Sequence, residues 1–321
     1  MRAAQEATLV VADRSGRFLL MSQDDLLTLY LPDWLRWRLE HEKHKFLVSL
    51  VDVFETRGWR VELRGNDLAD RLGSVARSGW ALFYDDPPVS GCCLTMRQSY
   101  LEPFWRIEKS AKRWEFDVAR AEFSIEEINP ERAQQFVSFW RKRLNLPNPK
   151  PAQNYVYVPL QGRLLSHRSF QSMSPIKMVE TLLEREPRQL VLTLHPRENY
   201  SDAERQAIAR IAEHPKVTLS DAPMSTLLAG CAYVATQNSA VVISGYLLNK
   251  PALLFGQIDF HHIAASVHRD GLDKAFEKIE RQSPDYARYL FWFFQEQALN
   301  VWRPDFPDRL NSRLAGHGLA L

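Results

Sequence analysis

The sequence predicts an α/β protein of two domains, and three observations predict it. The chain has 321 residues, the length of two ordinary domains. The stretch "LPNPKPAQN" at 146–154 carries three prolines, the composition of a stiff, extended connector. Beyond it, short apolar runs alternate with stretches of helical period, as in a parallel sheet with helices on both faces. The boundary is therefore placed there, giving domains 1–150 and 151–321.

The first half is the less regular. "ATLVVADRSGRFLLMSQ" reads as two strands around the turn Asp13-Arg14-Ser15-Gly16. "PDWLRWRLEHEKHKFLVSLVDVFETRG" reads as one helix, opened by Pro32-Asp33 and closed by Gly58. "WRVEL" and "WALFYDD" read as strands, the second ending in Asp85-Asp86 before two prolines. "CCLTMRQSYLEPFWRIE" reads as a strand and then a loop. "SIEEINPERAQQFVSFWRKRLN" reads as a helix with an acidic first turn and a basic last turn, as the helix dipole favours.

The second half reads more cleanly. "YVYVPL", "QLVLTLHP", "VTLSD", "AYVATQ" and "PALLFG" are strands. Between them lie the helices "SPIKMVETLLEREP", "SDAERQAIARIAEHP", "PMSTLLAGC" and "SAVVISGYLLNK", the first with Ser174 as cap and Pro175 in its first turn. The result is a Rossmann-like domain without a GxGxxG. "SPDYARYLFWFFQEQALNVWRPDF" reads as an apolar helix packing across both domains and back onto the first. It is too short and too interrupted to span a membrane.

Composition excludes several classes. Hydrophobic residues are 45% and charged residues 25%, an ordinary globular balance. A net charge of +2 is too weak to argue for nucleic acid. The amino terminus lacks the apolar core of a signal peptide. The three cysteines, Cys92, Cys93 and Cys231, lack metal-ligand spacing and read as reduced thiols of a cytoplasmic protein.

Three strand ends carry the chemistry. The run Leu190–Leu194 stops at His195-Pro196, since proline cannot donate to a sheet ladder. Another strand ends at Thr236 and gives way to Asn238-Ser239-Ala240 at a helix start, where free N–H groups and the dipole favour an anion. Ala240 and Gly245 permit close approach. A third strand brings Gln161 to the same edge. A cap at Asn238 or Ser239, and a solvated His195, are the plain readings of each residue alone. Three polar ends after three apolar strands together describe a ligand crevice.

Residues 155–263 resemble the capsular-polysaccharide synthesis family, which includes Kdo transferases of bacterial capsule assembly. The resemblance is carried in order by "VPLQG", "SFQSM", "LVLTLHPRE", "VATQNSAVVISGYLLNKPALLFG" and "QIDFH". In the first half, "RQSYLEPFWRIE" is similar to the segment bearing the family's acidic-Gly-aromatic-Leu-Arg motif. The resemblance implies a GT-B glycosyltransferase, two Rossmann-like domains facing a cleft. It implies a CMP-linked sugar-acid donor held by the second domain, with His195-Pro196 and Asn238-Ser239 at its phosphate or nucleotide. It implies no metal and no cofactor beyond the nucleotide sugar.

Two departures stand out. The family's acidic base would fall near Arg97-Gln98-Ser99, where no carboxylate exists. Asp85, Asp86 and Glu102 are the neighbouring substitutes. The loop after Gln161 is short and lacks the family's aspartate, with His167 in that region.

The expectation is thus a cytoplasmic transferase moving Kdo or a related acid to a glycan or lipid-linked acceptor, with peripheral membrane or capsule-complex association open. The alternative is a non-catalytic nucleotide- or glycan-binding relic. Other features read plainly. His261-His262 should point apart on an extended chain. "WLRWRLEHEKHK" reads as a solvated helix face, with an anionic glycan or headgroup surface as the alternative. Cys92-Cys93 reads as strand core.

Overall fold

A computed structural model describes residues 9–12, 18–21 and 25–321. The chain separates into two compact units, 1–117 with 297–321, and 118–296.

In the first unit, β1 (Leu9–Ala12) and β2 (Phe18–Met21) pair antiparallel. The predicted turn Asp13–Gly16 lies outside the described residues. The larger sheet begins with β3 (Leu26–Tyr30). The single predicted helix is two, α1 (Asp33–Glu40) and α2 (Lys45–Thr56). Glu42, at φ 54°, breaks the helical path, and His44 restarts it by accepting the Leu47 N–H. Then come β4 (Arg60–Arg64), α3 (Leu68–Gly73), β5 (Trp80–Tyr84), β6 (Cys93–Gln98) and β7 (Phe104–Glu108). The second half of the predicted loop after β6 is therefore strand, paired antiparallel to it.

A short α4 (Asp117–Arg120) spans the division. The second unit holds α5 (Pro130–Arg143), which starts later than predicted because Asn129 caps it and Pro130 opens it. There follow β8 (Tyr155–Leu160), α6 (Pro175–Arg185), β9 (Gln189–Leu194), α7 (Asp202–Ala212) and β10 (Val217–Leu219). The sequence α8 (Met224–Gly230), β11 (Val234–Thr236), α9 (Val241–Leu247), β12 (Ala252–Leu254) and β13 (Ala265–Ser266) completes the sheet. The helices α10 (Val267–Asp270), α11 (Leu272–Arg281) and α12 (Tyr286–Phe291) close the unit. The chain then returns to the first unit as β14 (Leu299–Asn300) and α13 (Phe306–Gly316).

Two expectations are corrected here. The division falls at Asp117/Val118, not at 146–154. The proline-rich stretch is pinned inside the second unit, because the N–H of Lys150 donates to Ala229 O (3.2 Å) and that of Gln153 to Gly230 O (2.8 Å). Just before it, Arg141 on α5 reaches Leu247 O and Asn249 Oδ1. The terminal apolar helix is also interrupted. A π-helical turn at Trp292–Glu296 ends it, and the chain from Gln297 belongs to the first unit, so its final helix α13 packs on α2.

The first sheet runs β14-β7-β6-β5-β3-β4, parallel from β4 to β6 and antiparallel beyond. The second runs β10-β9-β8-β11-β12-β13, parallel throughout. Each sheet has its own core: Leu29, Phe46, Leu50, Trp105 and Leu310 in the first, Val158, Met178, Leu192, Ala235 and Leu253 in the second. This is the predicted α/β class.

Candidate active site

In the second sheet, β8 leads to β9 and β10 on one side, while β11 to β13 lie on the other. Chain order therefore reverses between β8 and β11, the kind of point where parallel sheets bind ligands beyond their carboxyl ends. Gln161 follows β8 and Gln237-Asn238-Ser239 follows β11, so they flank that point. His195 follows β9, one strand further out on the same edge.

His195 and Pro196 are exposed. The His195 N–H donates to Tyr200 Oη (2.9 Å), and its Nδ1 accepts the Arg197 N–H (3.2 Å). In the neutral ring the proton then sits on Nε2, which is left as a donor. Ser239 is buried at 7% exposure, and its Oγ accepts the Val241 N–H at 3.3 Å. Ala240 is exposed at the start of α9. That helix has only seven residues, so its dipole is modest. Asn238 and Gln161 are half-buried with no side-chain hydrogen bond among the described residues.

The loop after β8 crosses this edge. Ser172 N–H donates to Phe255 O and Gln257 N–H to Phe170 O, both at 2.8 Å. Gln237 is held beneath it, donating through Nε2 to Met173 O (3.1 Å). At the loop's other end, Leu164 N–H donates to Glu204 Oε1 (2.5 Å), and Glu204 belongs to the capping box that starts α7 at Ser201.

Sequence reasoning missed three charged residues here. Arg163, at φ 60°, and Arg168 sit on the loop, and the Glu198 carboxylate lies where a Cβ at Gly162 would be. The Arg168 guanidinium rests 4.8 Å over the Phe170 ring, and its Nε finds no acceptor among the described residues. Burial, then the neighbouring Arg163, hold Arg168 below its ordinary pKa, opposed by Glu198. Two guanidiniums beside one carboxylate leave a net positive edge suited to an anion. Only the surplus of arginine around "QGRLLSHR" signals this in the sequence. His167 donates through Nε2 to Gln171 O (2.7 Å), so it braces the loop.

The three carboxylates proposed as bases also share an edge, in the first sheet. Asp85 and Asp86 follow β5, and Glu102 lies in the turn between β6 and β7. Asp85 is paired with the Arg97 guanidinium, which also donates to the Asp85 carbonyl (3.0 Å). Asp86 is paired with Arg71 (3.0 Å) and accepts from Asn66 (3.3 Å). Glu102 is exposed and has no ion pair among the described residues.

Two clusters resemble metal sites. The His261 and His262 rings do not point apart as expected; a turn, not an extended chain, stacks them at 4.4 Å. Their nitrogens are engaged: His261 Nδ1 meets Ile258 O (2.8 Å), and His262 Nε2 meets Ala121 O (3.2 Å). Burial first, and then His261, push His262 down to about 4. Glu108, Asp117 and His317 also converge, but Arg313 lies 3.2 Å from Asp117 and 3.8 Å from Glu108. His317 Nε2 donates to Ile107 O at 2.9 Å. A guanidinium occupies the place of a cation, and the imidazole nitrogen is spent on a carbonyl. Of the cysteines, Cys93 and Cys231 are buried and Cys92 is exposed, so only half of the vicinal pair is core.

The fold is that of a two-unit α/β protein of the GT-B kind, with polar and arginine-bearing strand ends on one edge of its second sheet. No family model matches the chain, and no curated protein matches it in sequence. Among solved structures, the chain is similar to the Thermosulfurimonas dismutans KpsC beta Kdo 2,7 transferase. Identity is 10%, the match covers 83% of this chain and 88% of that one, and the TM-score is 0.51. The beta Kdo 2,4 transferase of the same organism's KpsC matches at 12% identity, over 83% and 89% of the two chains, with a TM-score of 0.46. A glycosyltransferase from Rickettsia africae covers 90% of this chain and 98% of its own at 10% identity and a TM-score of 0.37. The first comparison shows a shared fold. None of the helices among the described residues is long and apolar enough to cross a membrane.

Proposed function

We propose that the chain is a glycosyltransferase of bacterial surface or capsular polysaccharide synthesis, using Kdo or a related sugar acid from a CMP-linked donor. The supporting observation is the second sheet's edge, which gathers Gln161, His195, Ser239, Arg163 and Arg168 on the fold of a Kdo transferase. The donor's phosphate leaves with negative charge. Guanidiniums, the His195 Nε2–H and the Ser239 hydroxyl are donors that would stabilise it without a metal. The acceptor hydroxyl attacks the anomeric carbon, and its proton goes to a carboxylate. Glu102 is the carboxylate we assign, since Asp85 and Asp86 are held by arginines. The work is placed in the cytoplasm, with a glycan or lipid-linked acceptor.

The ion pairs on Asp85 and Asp86 favour a second reading, a binding relic without transfer activity. A thermal-shift series with CMP, UDP, GDP and their sugars separates the possibilities. A nucleotide at a hundred times its Kd should stabilise the protein by about 2.7 kcal/mol. Silence toward all nucleotides rejects the transferase and a nucleotide-binding relic, and leaves only a glycan-binding one. Binding of a CMP-sugar without its slow hydrolysis or transfer supports the relic.

A further inference from the structure

The first unit carries a concave polar site on the same sheet edge as Asp85 and Asp86, tied to Asp86 through its lining residue Asn66 (3.3 Å). A basin of about 780 Å3 opens beyond the carboxyl ends of β3 and β4. That is a ligand-sized volume, at the sheet edge where parallel strands present ligands. One wall is Trp34, 53% exposed on α1. Leu35 and Leu39 bury the opposite face of α1, so the indole is mounted on a fixed helix. Its position is set by an edge-on contact with Tyr84, with centroids 6.0 Å apart at 87°. Trp37, one turn on, differs: His41 stacks on it at 4.4 Å and Lys43 lies 4.5 Å over its ring.

The remaining walls are hydrogen-bonding groups of both kinds. Asp33, Asp67 and Asp70 supply acceptors, and Arg36 and Arg64 supply donors. Asp33 and Arg36 pair at 2.5 Å. The Nε of Arg36 and of Arg64 are buried without an acceptor among the described residues.

We propose that this basin binds a neutral sugar ring of a glycan chain. A pyranose has an apolar face of C–H groups, which packs on an indole, and a rim of vicinal hydroxyls. Such hydroxyls both donate to carboxylates and accept from guanidiniums, and few other ligands use a mixed set of this kind. Three carboxylates among the walls disfavour an anionic bilayer, the other common partner of an exposed tryptophan. The proposal rests on and deepens the transferase reading, since it names the acceptor-side sugar that the first unit would hold; glycan binding itself needs no nucleotide.

The test uses the full chain on a glycan array of bacterial surface oligosaccharides, followed by calorimetry with the strongest neutral hit. Trp34→Ala should weaken binding at least tenfold. Trp34→Phe should restore most of it, and Trp37→Ala should leave it within about threefold of wild type. Because Trp34 is exposed, the melting temperature should not move, and circular dichroism checks this. Absence of any neutral hit overturns the proposal, as does a hit indifferent to Trp34→Ala. Binding to phosphatidylglycerol vesicles that Trp34→Ala abolishes would overturn it in favour of a membrane surface. Nucleotide thermal shifts report on the second unit separately, so failure of one reading does not mimic failure of the other.

Discussion

Replacing Glu108 by glutamine should make the protein more stable in alkali and leave it nearly unchanged in acid. Glu108 is 1% exposed on β7, and its Oε1 has no hydrogen-bond partner among the described residues. Burial raises its pKa from 4.5 to about 7, against the pull of Arg106, the Asp117 N–H and Arg313. The folded state therefore binds this proton more tightly than the unfolded chain does. Stability from this group is full below pH 4.5 and is lost as pH rises through about 7. At 1.36 kcal/mol per pH unit, the loss is about 3 kcal/mol. Glutamine imitates the neutral acid and removes the dependence. The quantity to follow is the stability difference between Glu108→Gln and wild type, from urea titrations at pH 5 to 8.5. Any constant cost of the amide cancels from the slope. Across that window the difference should grow by about 2.5 kcal/mol in favour of the variant. His317 acts with the opposite sign, since burial lowers its pKa and its contribution is lost as pH falls below about 6.5. Its change lies below about pH 6.5, so growth of the difference above that pH reports Glu108. Parallel curves, or a difference growing toward acid, would refute the reasoning.

Three further outcomes are expected. Arg168→Ala should weaken nucleotide binding about tenfold, roughly 1.4 kcal/mol, while changing the melting temperature little; calorimetry with CMP checks it. Glu102→Gln should abolish transfer and retain donor binding, whereas Asp85→Asn and Asp86→Asn should retain transfer; a coupled release assay for CMP decides between them. Ser201→Ala should cost about 1 kcal/mol by removing the α7 cap, measured by urea titration, and should loosen the loop that Glu204 holds through Leu164 N–H.

The second unit was the more legible because its strands announce themselves locally. Apolar runs such as Val156–Leu160 and Leu190–Leu194 are each bounded by a polar or proline stop, and Ser174 and Ser201 cap the helices that follow. The sheet edge bearing Gln161, His195 and Ser239 followed from that alternation. What the pattern could not carry was long-range pairing. Nothing local in "LPNPKPAQN" says that its N–H groups bond to Ala229 and Gly230, so a stiff segment inside a unit reads as a connector. Glu42 adopts a left-handed conformation that residue type alone does not announce, so two helices read as one. Arg163 and Arg168 carry no local signal, because the loop's charge becomes meaningful only once one end is tied to Phe255 and the other to Glu204.

On the proposed transferase reading, the choice of base rests on what holds each carboxylate. A general base needs a lone pair directed at the hydroxyl it deprotonates. Asp85 gives its oxygen to Arg97, and the same guanidinium grips the Asp85 carbonyl, so the side chain is fastened at two points. Asp86 joins Arg71 on α3 to Asn66 ahead of that helix, which stitches α3 to the end of β5. Both aspartates shape the edge of the first sheet, and freeing either would first require breaking a charge-assisted bond. Glu102 bears neither obligation. It stands two strands from β3, in the turn that reverses β6 into β7, and its segment is the one that resembles the base-bearing motif of capsule transferases. Arg97, in that same segment, is the residue that disables Asp85. On the proposed transferase reading, with Asp85 and Asp86 both held by arginines, Glu102 is the carboxylate assigned to take the proton.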